Sequence, residues 1–422
     1  MTDGQKNLGL VLSGGGARGA YEAGVVHYIR TMLPADGGAK RHFDTLCGSS
    51  VGAINTAFLA ATAHDPAYQG PALNNIWKTL RQSNIYRRDV ASFITLISQS
   101  LVGISRNILT SLKQKRPDDG SRVHFRGVLD TSPLLPFLKN TIPWKQISLN
   151  IQNRLLKAVS VTATNANTGR LELFVEKHPS ISYTGHYVFN EVKLEAFHVM
   201  ASGALPFVFP TVRINRQHYI DGGLRLNTPM SPAIQLGAEK ILVIGMHHAS
   251  EKVDAPADHG LFTGSELAPT LGNLIGKVLN SIFLDKLDYD IEQMVRINRI
   301  IDWGEGCFGK DYLKQINTHL IDNEIRGDIA NRGLKRLEVM KIFPSRDIRE
   351  IFADATDHGA AFVDQLGRSE KFLLKILDVD VTTSKDFLSY IIFYPKYLSM
   401  LLELGFEDAR AHHDRLREFL TT

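Results

Sequence analysis

The chain has 422 residues, of which 44% are hydrophobic and 22% are charged, a composition typical of globular proteins. Its net charge of +4 is small for this length, which argues against a dedicated nucleic-acid-binding protein. Its two cysteines, Cys47 and Cys307, lie far apart in the sequence, which argues against a disulfide framework and against a zinc site of clustered thiols.

Two strand–turn–helix units begin the chain. A short apolar run at residues 8–12 ends at glycines and predicts a buried strand, and the spacing of apolar residues in 17–33 predicts a helix. Residues 43–47 and 51–61 repeat this pattern. Strands that alternate with helices indicate an α/β fold with a mainly parallel central sheet.

Residues 64–153 depart from this pattern, and we interpret them as a helical insert. Within them, residues 90–112 place apolar side chains at intervals of three or four, and the surrounding charges are basic except for Asp89. This pattern fits a basic amphipathic helix that lies on an anionic membrane surface. It also fits an ordinary helix that packs its apolar side on the core.

Strands return after the insert and are followed by helices. We predict strands at residues 158–163, 171–175, 218–221 and 240–246, with a helix at 194–201. Beyond them, helical spacing occupies residues 271–287, 362–377 and 386–420. We therefore divide the chain into a catalytic domain, residues 1–250, and a mainly helical C-terminal region, residues 251–422, that packs on it.

The sequence contains no visible signal peptide, and no window reaches the ~18 uncharged apolar residues of a membrane-spanning helix. The most apolar window, residues 388–404, contains Pro395 and Lys396. We therefore expect a soluble protein, cytoplasmic or peripheral at the membrane.

The second strand–turn–helix unit contains Gly48-Ser49-Ser50-Val51-Gly52, which fits the G-x-S-x-G pattern of a nucleophile elbow. The small residues Gly48 and Gly52 let the strand and the helix approach each other, and the sharp turn lifts the Ser50 hydroxyl above the sheet. The N-terminus of the helix directs partial positive charge at this point. The sequence therefore predicts that Ser50 is a nucleophile.

The loop after the first strand, GGGARG, has two interpretations. Gly14, Gly16 and Gly19 fit the glycine fingerprint of dinucleotide-binding folds, but those folds need an acidic residue at the end of the second strand. Here the acid of that strand, Asp44, lies at its beginning. We therefore favour an oxyanion hole built from the consecutive N–H groups of Gly14, Gly15 and Gly16.

A serine nucleophile needs a base. Asp221 lies at the end of a predicted strand, and the following Gly222 and Gly223 leave its carboxylate room to point into a cleft. A carboxylate is a weak base in water, with a pKa of ~3.9, so its strength must come from a close, partly desolvated hydrogen bond. His247 and His248 satisfy the chain order Ser–acid–His but lack a supporting motif, so we favour Asp221 alone.

GGGARG, GSSVG and DGG in this order resemble the patatin-like phospholipase family. Residues 201–210, ASGALPFVFP, resemble the alanine–serine–proline segment of that family, and Asn227 and Pro229 also fit. The resemblance is strong over residues 7–246, and residues 388–409 resemble a helical tail of the longer bacterial members of the family. It implies a three-layer α/β/α sandwich and metal-free hydrolysis of lipid acyl esters by a dyad of Ser50 and Asp221. The residues that it assigns to the oxyanion hole are Gly14, Gly15, Gly16 and Arg18, where Arg18 bonds the loop or stabilises developing charge.

These observations predict a lipid acyl hydrolase of the phospholipase A or lysophospholipase type, with an acyl-enzyme intermediate and no cofactor. Two alternatives stay open. One is an acyltransferase, which passes the acyl group to an alcohol or thiol instead of water. The other is a non-catalytic, membrane-associated protein that retains the fold. The expected partner is a lipid or phospholipid, with no nucleic acid.

Overall fold

The computed structural model describes residues 6–33, 42–87, 129–183, 185, 187–206, 208–248, 287–322, 334–357 and 384–421. Within them a mixed sheet lies between helices. Its strands are β1 (Leu8–Leu12), β2 (Thr45–Gly48), β3 (Ala158–Asn165), β4 (Leu171–Lys177), β5 (Val188–Glu191), β6 (Val212–Ile214), β7 (Gln217–Asp221), β8 (Lys240–Ile244) and β9 (Glu338–Ile342).

The strands follow the order β5-β4-β3-β2-β1-β8-β9, and β7 pairs with both β3 and β6. Strands β3, β2, β1, β8 and β9 are parallel to one another. Strands β4 and β7 are antiparallel to β3. The prediction of a mainly parallel sheet is therefore confirmed.

The helices begin with α1 (Ala20–Met32), α2 (Val51–Ala61), α3 (Pro66–Thr79), α4 (Gln82–Ile85), α5 (Leu134–Thr141), α6 (Trp144–Gln152) and α7 (Ala196–Ser202). They continue with α8 (Met230–Gln235), α9 (Leu287–Phe308), α10 (Tyr312–Asp322) and α11 (Ile348–Ala355). The last are α12 (Lys385–Ile391), α13 (Pro395–Ala411) and α14 (His413–Thr421). None of these described helices combines the length and the apolar composition needed to cross a membrane.

Both faces of the sheet are buried, which gives the three layers of an α/β/α sandwich. Leu8, Leu10 and Leu12 of β1 point into the larger apolar cluster, with helices α1, α2 and α13. Val11, on the opposite face, packs in a second cluster with β8, α8 and the start of α9. Parallel strands covered on both faces are apolar along their whole length, which explains the continuous apolar runs in the sequence.

The boundaries of several elements differ from the prediction. Residues 17–33 start as a 3₁₀ turn, Gly16–Gly19, before α1 begins. Residues 386–420 form three helices instead of one. The first break precedes Pro395, because proline can begin a helix but cannot continue one, and the second lies at His412. The short strands β5, β6 and β9 were not predicted, and β9 extends the sheet into the region expected to be mainly helical.

Some predicted helices lie outside the described residues. They are the basic amphipathic helix at 90–112, the helix at 362–377, and residues 271–286 of the helix expected at 271–287. The division into residues 1–250 and 251–422 stays a prediction.

Helix α13 packs tightly along α1 and brings the C-terminal region to the start of the chain. A Cβ built on Gly24 of α1 would lie 2.1 Å from the Leu402 carbonyl oxygen, and one on Gly405 would lie 2.1 Å from that of Tyr21. The two backbones therefore touch. The hydrogen bond from Tyr21 OH to Asp408 Oδ2, at 3.0 Å, adds a polar contact to this interface.

Candidate active site

Two strands meet end to end along one edge of β3. Strand β2 runs parallel to β3 and ends with Gly48 opposite Val161. Strand β7 runs in the opposite direction and ends with Asp221 opposite Ala163, two residues farther along the same strand. The carboxyl ends of β2 and β7 therefore converge, which brings the predicted nucleophile beside the predicted base.

Ser50 occupies the sharp turn between β2 and α2, with a φ of 52° and a ψ of −122°. This conformation is strained for a residue with a side chain, and such strain persists only where the surroundings hold it. The Ser50 N–H donates to Ser202 Oγ at 2.8 Å, and the Ala53 N–H donates to the Ser50 carbonyl at 3.0 Å. Close packing also requires Gly52, because a Cβ there would lie 2.4 Å from the Leu12 carbonyl oxygen.

Ser50 and Asp221 are hydrogen-bonded to each other. Ser50 Oγ donates to Asp221 Oδ2 at 2.6 Å, and the Gly223 N–H donates to Oδ1 at 2.7 Å. The Asp221 side chain is buried, with 1% of its surface exposed. Burial raises the pKa of Asp221 to about 7, although the hydrogen bonds from Ser50 and Gly223 act to lower it.

The GGGARG loop lies directly against Ser50. The Gly14 N–H donates to the Asn227 carbonyl at 3.2 Å, so this amide already has an acceptor. The N–H groups of Gly15 and Gly16 donate to no acceptor within the described part of the chain. Two of the three amides predicted for the oxyanion hole therefore have no acceptor among the described residues.

The hydrogen bonds of the Arg18 side chain go to helix α12 and not to Ser50 or Asp221. Its buried guanidinium donates to Tyr390 OH and to Asp386 Oδ1, both at 3.0 Å, in helix α12. These contacts fit the first of the two roles considered for Arg18, which is to bond and hold the loop.

Ser50 and Asp221 open into an apolar pocket. Its walls come from α2, from the helices of the insert, from the segment after α7 and from the C-terminal region. The lining side chains include Trp77, Phe137, Leu138, Phe209 and Phe393. Such a lining fits a hydrocarbon chain next to a reactive polar group.

Neither histidine weighed as a base lines this pocket among the described residues. His248 Nδ1 instead hydrogen-bonds to the Pro344 carbonyl oxygen at 3.0 Å, on the far side of β8 from β2. Among the described residues, the acid–base side chain that hydrogen-bonds to Ser50 is therefore Asp221 and not a histidine.

Sequence reasoning assigned no role to Ser202 or Asn227, although both belong to segments that carry the family resemblance. Ser202 accepts the N–H of Ser50, and Asn227 holds Gly14 by its carbonyl oxygen and by its amide, whose Nδ2 donates to Gly14 O at 3.4 Å. The sequence feature that could have identified both residues is their position in those segments. Ser389 and Tyr390, which contact Arg18, lie in residues 388–409, whose resemblance to a helical tail gave no role to either residue, and Asp386 lies just before that segment.

A family model matches the part of the chain that contains Ser50 and Asp221. The family model of the patatin-like phospholipases matches residues 10–234. The cGAMP-activated phospholipase of Pseudomonas aeruginosa (strain BWHPSA011 / Pa011) is 30% identical over 223 residues, which are 52% of this chain and 53% of that protein. The chain therefore spans about half the length of this curated relative. The crystal structure of VipD from Legionella pneumophila is 16% identical to this chain, with a TM-score of 0.31, and the match covers 93% of this chain and 92% of that chain.

Proposed function

The chain belongs to the patatin-like phospholipase family, and we propose that it hydrolyses acyl esters of phospholipids or lysophospholipids through Ser50 and Asp221. The observation that carries the proposal is the 2.6 Å hydrogen bond from Ser50 Oγ to Asp221 Oδ2, at an apolar pocket. The phospholipase activity named for the Pseudomonas relative supports the same chemistry.

In the proposed first step, the acyl chain occupies the apolar pocket and its ester carbonyl lies beside Ser50. Asp221 accepts the proton of Ser50 Oγ while that oxygen bonds to the carbonyl carbon. The carbonyl oxygen becomes an oxyanion, which accepts hydrogen bonds from the N–H groups of Gly15 and Gly16. The carbon–oxygen bond to the alcohol then breaks, the alcohol takes the proton from Asp221, and Ser50 keeps the acyl group.

In the second step, water replaces the alcohol. Asp221 accepts a proton from the water as its oxygen bonds to the acyl carbon, and the same two amides stabilise the second oxyanion. The bond to Ser50 Oγ breaks, Oγ recovers the proton from Asp221, and the fatty acid leaves.

Hydrolysis is expected to depend on the ionisation of Asp221. Because burial raises the pKa of this carboxyl to about 7, the basic form should predominate only above that pH. We expect log kcat/KM for an uncharged ester to rise with a slope near 1 up to about pH 7 and to level off above it. A pH–rate profile that stayed flat down to pH 5 would contradict this role.

Activity-based labelling tests the proposal directly. A fluorophosphonate reacts with an activated serine, forming an Oγ–phosphorus bond and releasing fluoride. We expect mass spectrometry to find the adduct on Ser50 and not on the neighbouring Ser49, and diacyl phospholipid vesicles to yield free fatty acid and lysolipid. Heat-denatured protein is the control. Folded protein that neither reacts with the probe nor releases fatty acid would contradict the proposal, and transfer of the acyl group to an added alcohol in place of its release would indicate the acyltransferase.

A further inference from the structure

The loop that bears the free amides rests on a segment far away in the sequence. Gly16 lies so close to helix α12 that a Cβ built on it would be 2.1 Å from the carbonyl oxygen of Tyr390. Its φ of 58° is also one that residues with side chains rarely adopt. The backbone of the glycine loop therefore depends on direct contact with the C-terminal region.

Arg18, two residues farther on, is bonded to the same helix through four hydrogen bonds. Nε and Nη2 donate to Ser389 Oγ at 3.2 and 2.7 Å, Nη1 donates to Tyr390 OH at 3.0 Å, and Nη2 donates to Asp386 Oδ1 at 3.0 Å. The guanidinium carbon also lies 3.7 Å from the centre of the Tyr390 ring, which adds a cation–π contact. Four of the five N–H groups that a guanidinium carries are therefore used to join the loop to α12.

These contacts are largely shielded from water, so water does not replace a partner that is lost. The Arg18 side chain is 4% exposed and that of Asp386 is 23% exposed. Ser389 donates its own proton to the Asp386 carbonyl at 2.7 Å, so its oxygen is oriented to accept from Arg18. In such surroundings the loss of one partner leaves the other charge or donor unsatisfied, and the attached backbone shifts.

The C-terminal end of helix α12 has a further hydrogen bond. Tyr86 OH donates to the Ile391 carbonyl at 2.9 Å, and Tyr390, Ile391 and Phe393 line the same pocket as Ser50. The packing of α13 on α1 anchors the chain immediately after this segment. The segment that holds the loop therefore also forms a wall of the pocket.

We propose that helix α12 is a positioning element of the active site, in which Asp386, Ser389 and Tyr390 hold the Gly15 and Gly16 amides in place through Arg18 and Gly16. These three residues lie outside the matched residues 10–234. The proposal rests on the proposed function. Its physical basis is that an oxyanion hole works only when its donors are fixed before the reaction, and a misplacement of about 1 Å can cost 100-fold in rate.

The variant Arg18→Lys tests this role. Lysine keeps the charge, but its single ammonium cannot reach all three partners with the geometry of the planar guanidinium. We expect kcat to fall by about 10- to 100-fold with KM within about threefold, because the amides act on the transition state and not on the bound ester. The rate of phosphonylation by the fluorophosphonate should fall in parallel. Titration with this probe gives the concentration of active sites, so misfolded protein does not enter kcat.

The matched control is Asp408→Asn. Asp408 accepts from Tyr21 OH and from the Ser345 N–H, both at 3.0 Å, at the same interface between the C-terminal region and α1 but away from the glycine loop. We expect this variant to lose thermal stability while its kcat stays within about twofold of the wild type. If Arg18→Lys does not fold, Ser389→Ala and Tyr390→Phe each remove one acceptor of Arg18 and should lower kcat in the same direction.

The outcomes separate the two proposals. An active wild type, with Arg18→Lys, Ser389→Ala and Tyr390→Phe proteins of unchanged kcat, would overturn the positioning role and leave the proposed function intact. An equal loss of kcat in Asp408→Asn would also overturn it, because the effect would then follow from weakened docking in general. A wild type that neither reacts with the probe nor hydrolyses lipid would overturn the proposed function, and this role with it.

Discussion

Ser50→Ala and Ser50→Gly proteins are both expected to lose hydrolysis and fluorophosphonate labelling, and the glycine protein is expected to be the more stable. Loss of the nucleophile removes the covalent step, so kcat should fall by about 10⁴-fold or more. The difference in stability has a separate cause. At a φ of 52° and a ψ of −122°, alanine carries the same backbone strain as serine, whereas glycine has no Cβ and relieves it.

The strain at such a position is about 1–3 kcal/mol, and the greater freedom of glycine in the unfolded chain offsets roughly 0.5–1 kcal/mol of the gain. We therefore expect the Ser50→Gly protein to exceed the Ser50→Ala protein by about 1 kcal/mol in free energy of unfolding, measured by urea titration. Retained hydrolysis in either protein would contradict the role of Ser50. A Ser50→Gly protein that is less stable than Ser50→Ala would contradict the strain.

The Asp221→Asn protein is expected to lose activity and to gain stability at alkaline pH. Asparagine preserves the size and one acceptor oxygen, so the Gly223 N–H keeps its partner, but it cannot take the proton of Ser50. Loss of a general base lowers the rate by about 10²- to 10⁴-fold, and here the same group serves both steps. We therefore expect kcat/KM, measured at pH 8, to fall by an amount near the upper end of this range.

The gain in stability follows from the raised pKa. The carboxyl has a pKa of about 7 in the folded protein and an ordinary value of 3.8 when exposed, so the folded state binds the proton more tightly. The stability from this proton is fully present below about pH 4 and is lost as the pH rises through about 7. A difference of about 3 units corresponds to about 4 kcal/mol.

The two proteins should therefore have similar unfolding free energies near pH 4, and above pH 7 the Asp221→Asn protein should be more stable by up to about 4 kcal/mol. Urea titrations of both proteins at pH 4, 6 and 8.5 measure this difference. If the unfolding free energy of the wild type instead rose relative to that of Asp221→Asn with increasing pH, the folded protein would stabilise Asp221 as a carboxylate. Such a result would contradict the raised pKa and the pH–rate profile derived from it.

Much of the fold and of the candidate site could be predicted from the sequence, because it depends on local chemistry. The apolar runs at β1 and β8 are continuous because both faces of a parallel sheet are buried. The glycines of GSSVG mark close approach of backbones, and Gly52 does meet the Leu12 carbonyl. These signals depend on residues a few positions apart, so they can be read along the chain.

The sequence by itself determined the order of strands and helices around the site and the residue types that carry the proposed chemistry. The tertiary structure alone decided that Gly14 gives its N–H to Asn227 and that Arg18 points to Asp386 and Tyr390. It also decided that β7 meets β2 along β3. The physical reason is that the partner of a backbone amide or a buried guanidinium is whichever group packing brings within about 3 Å. For Arg18 that group lies 368 to 372 residues away, and no local pattern records such a distance.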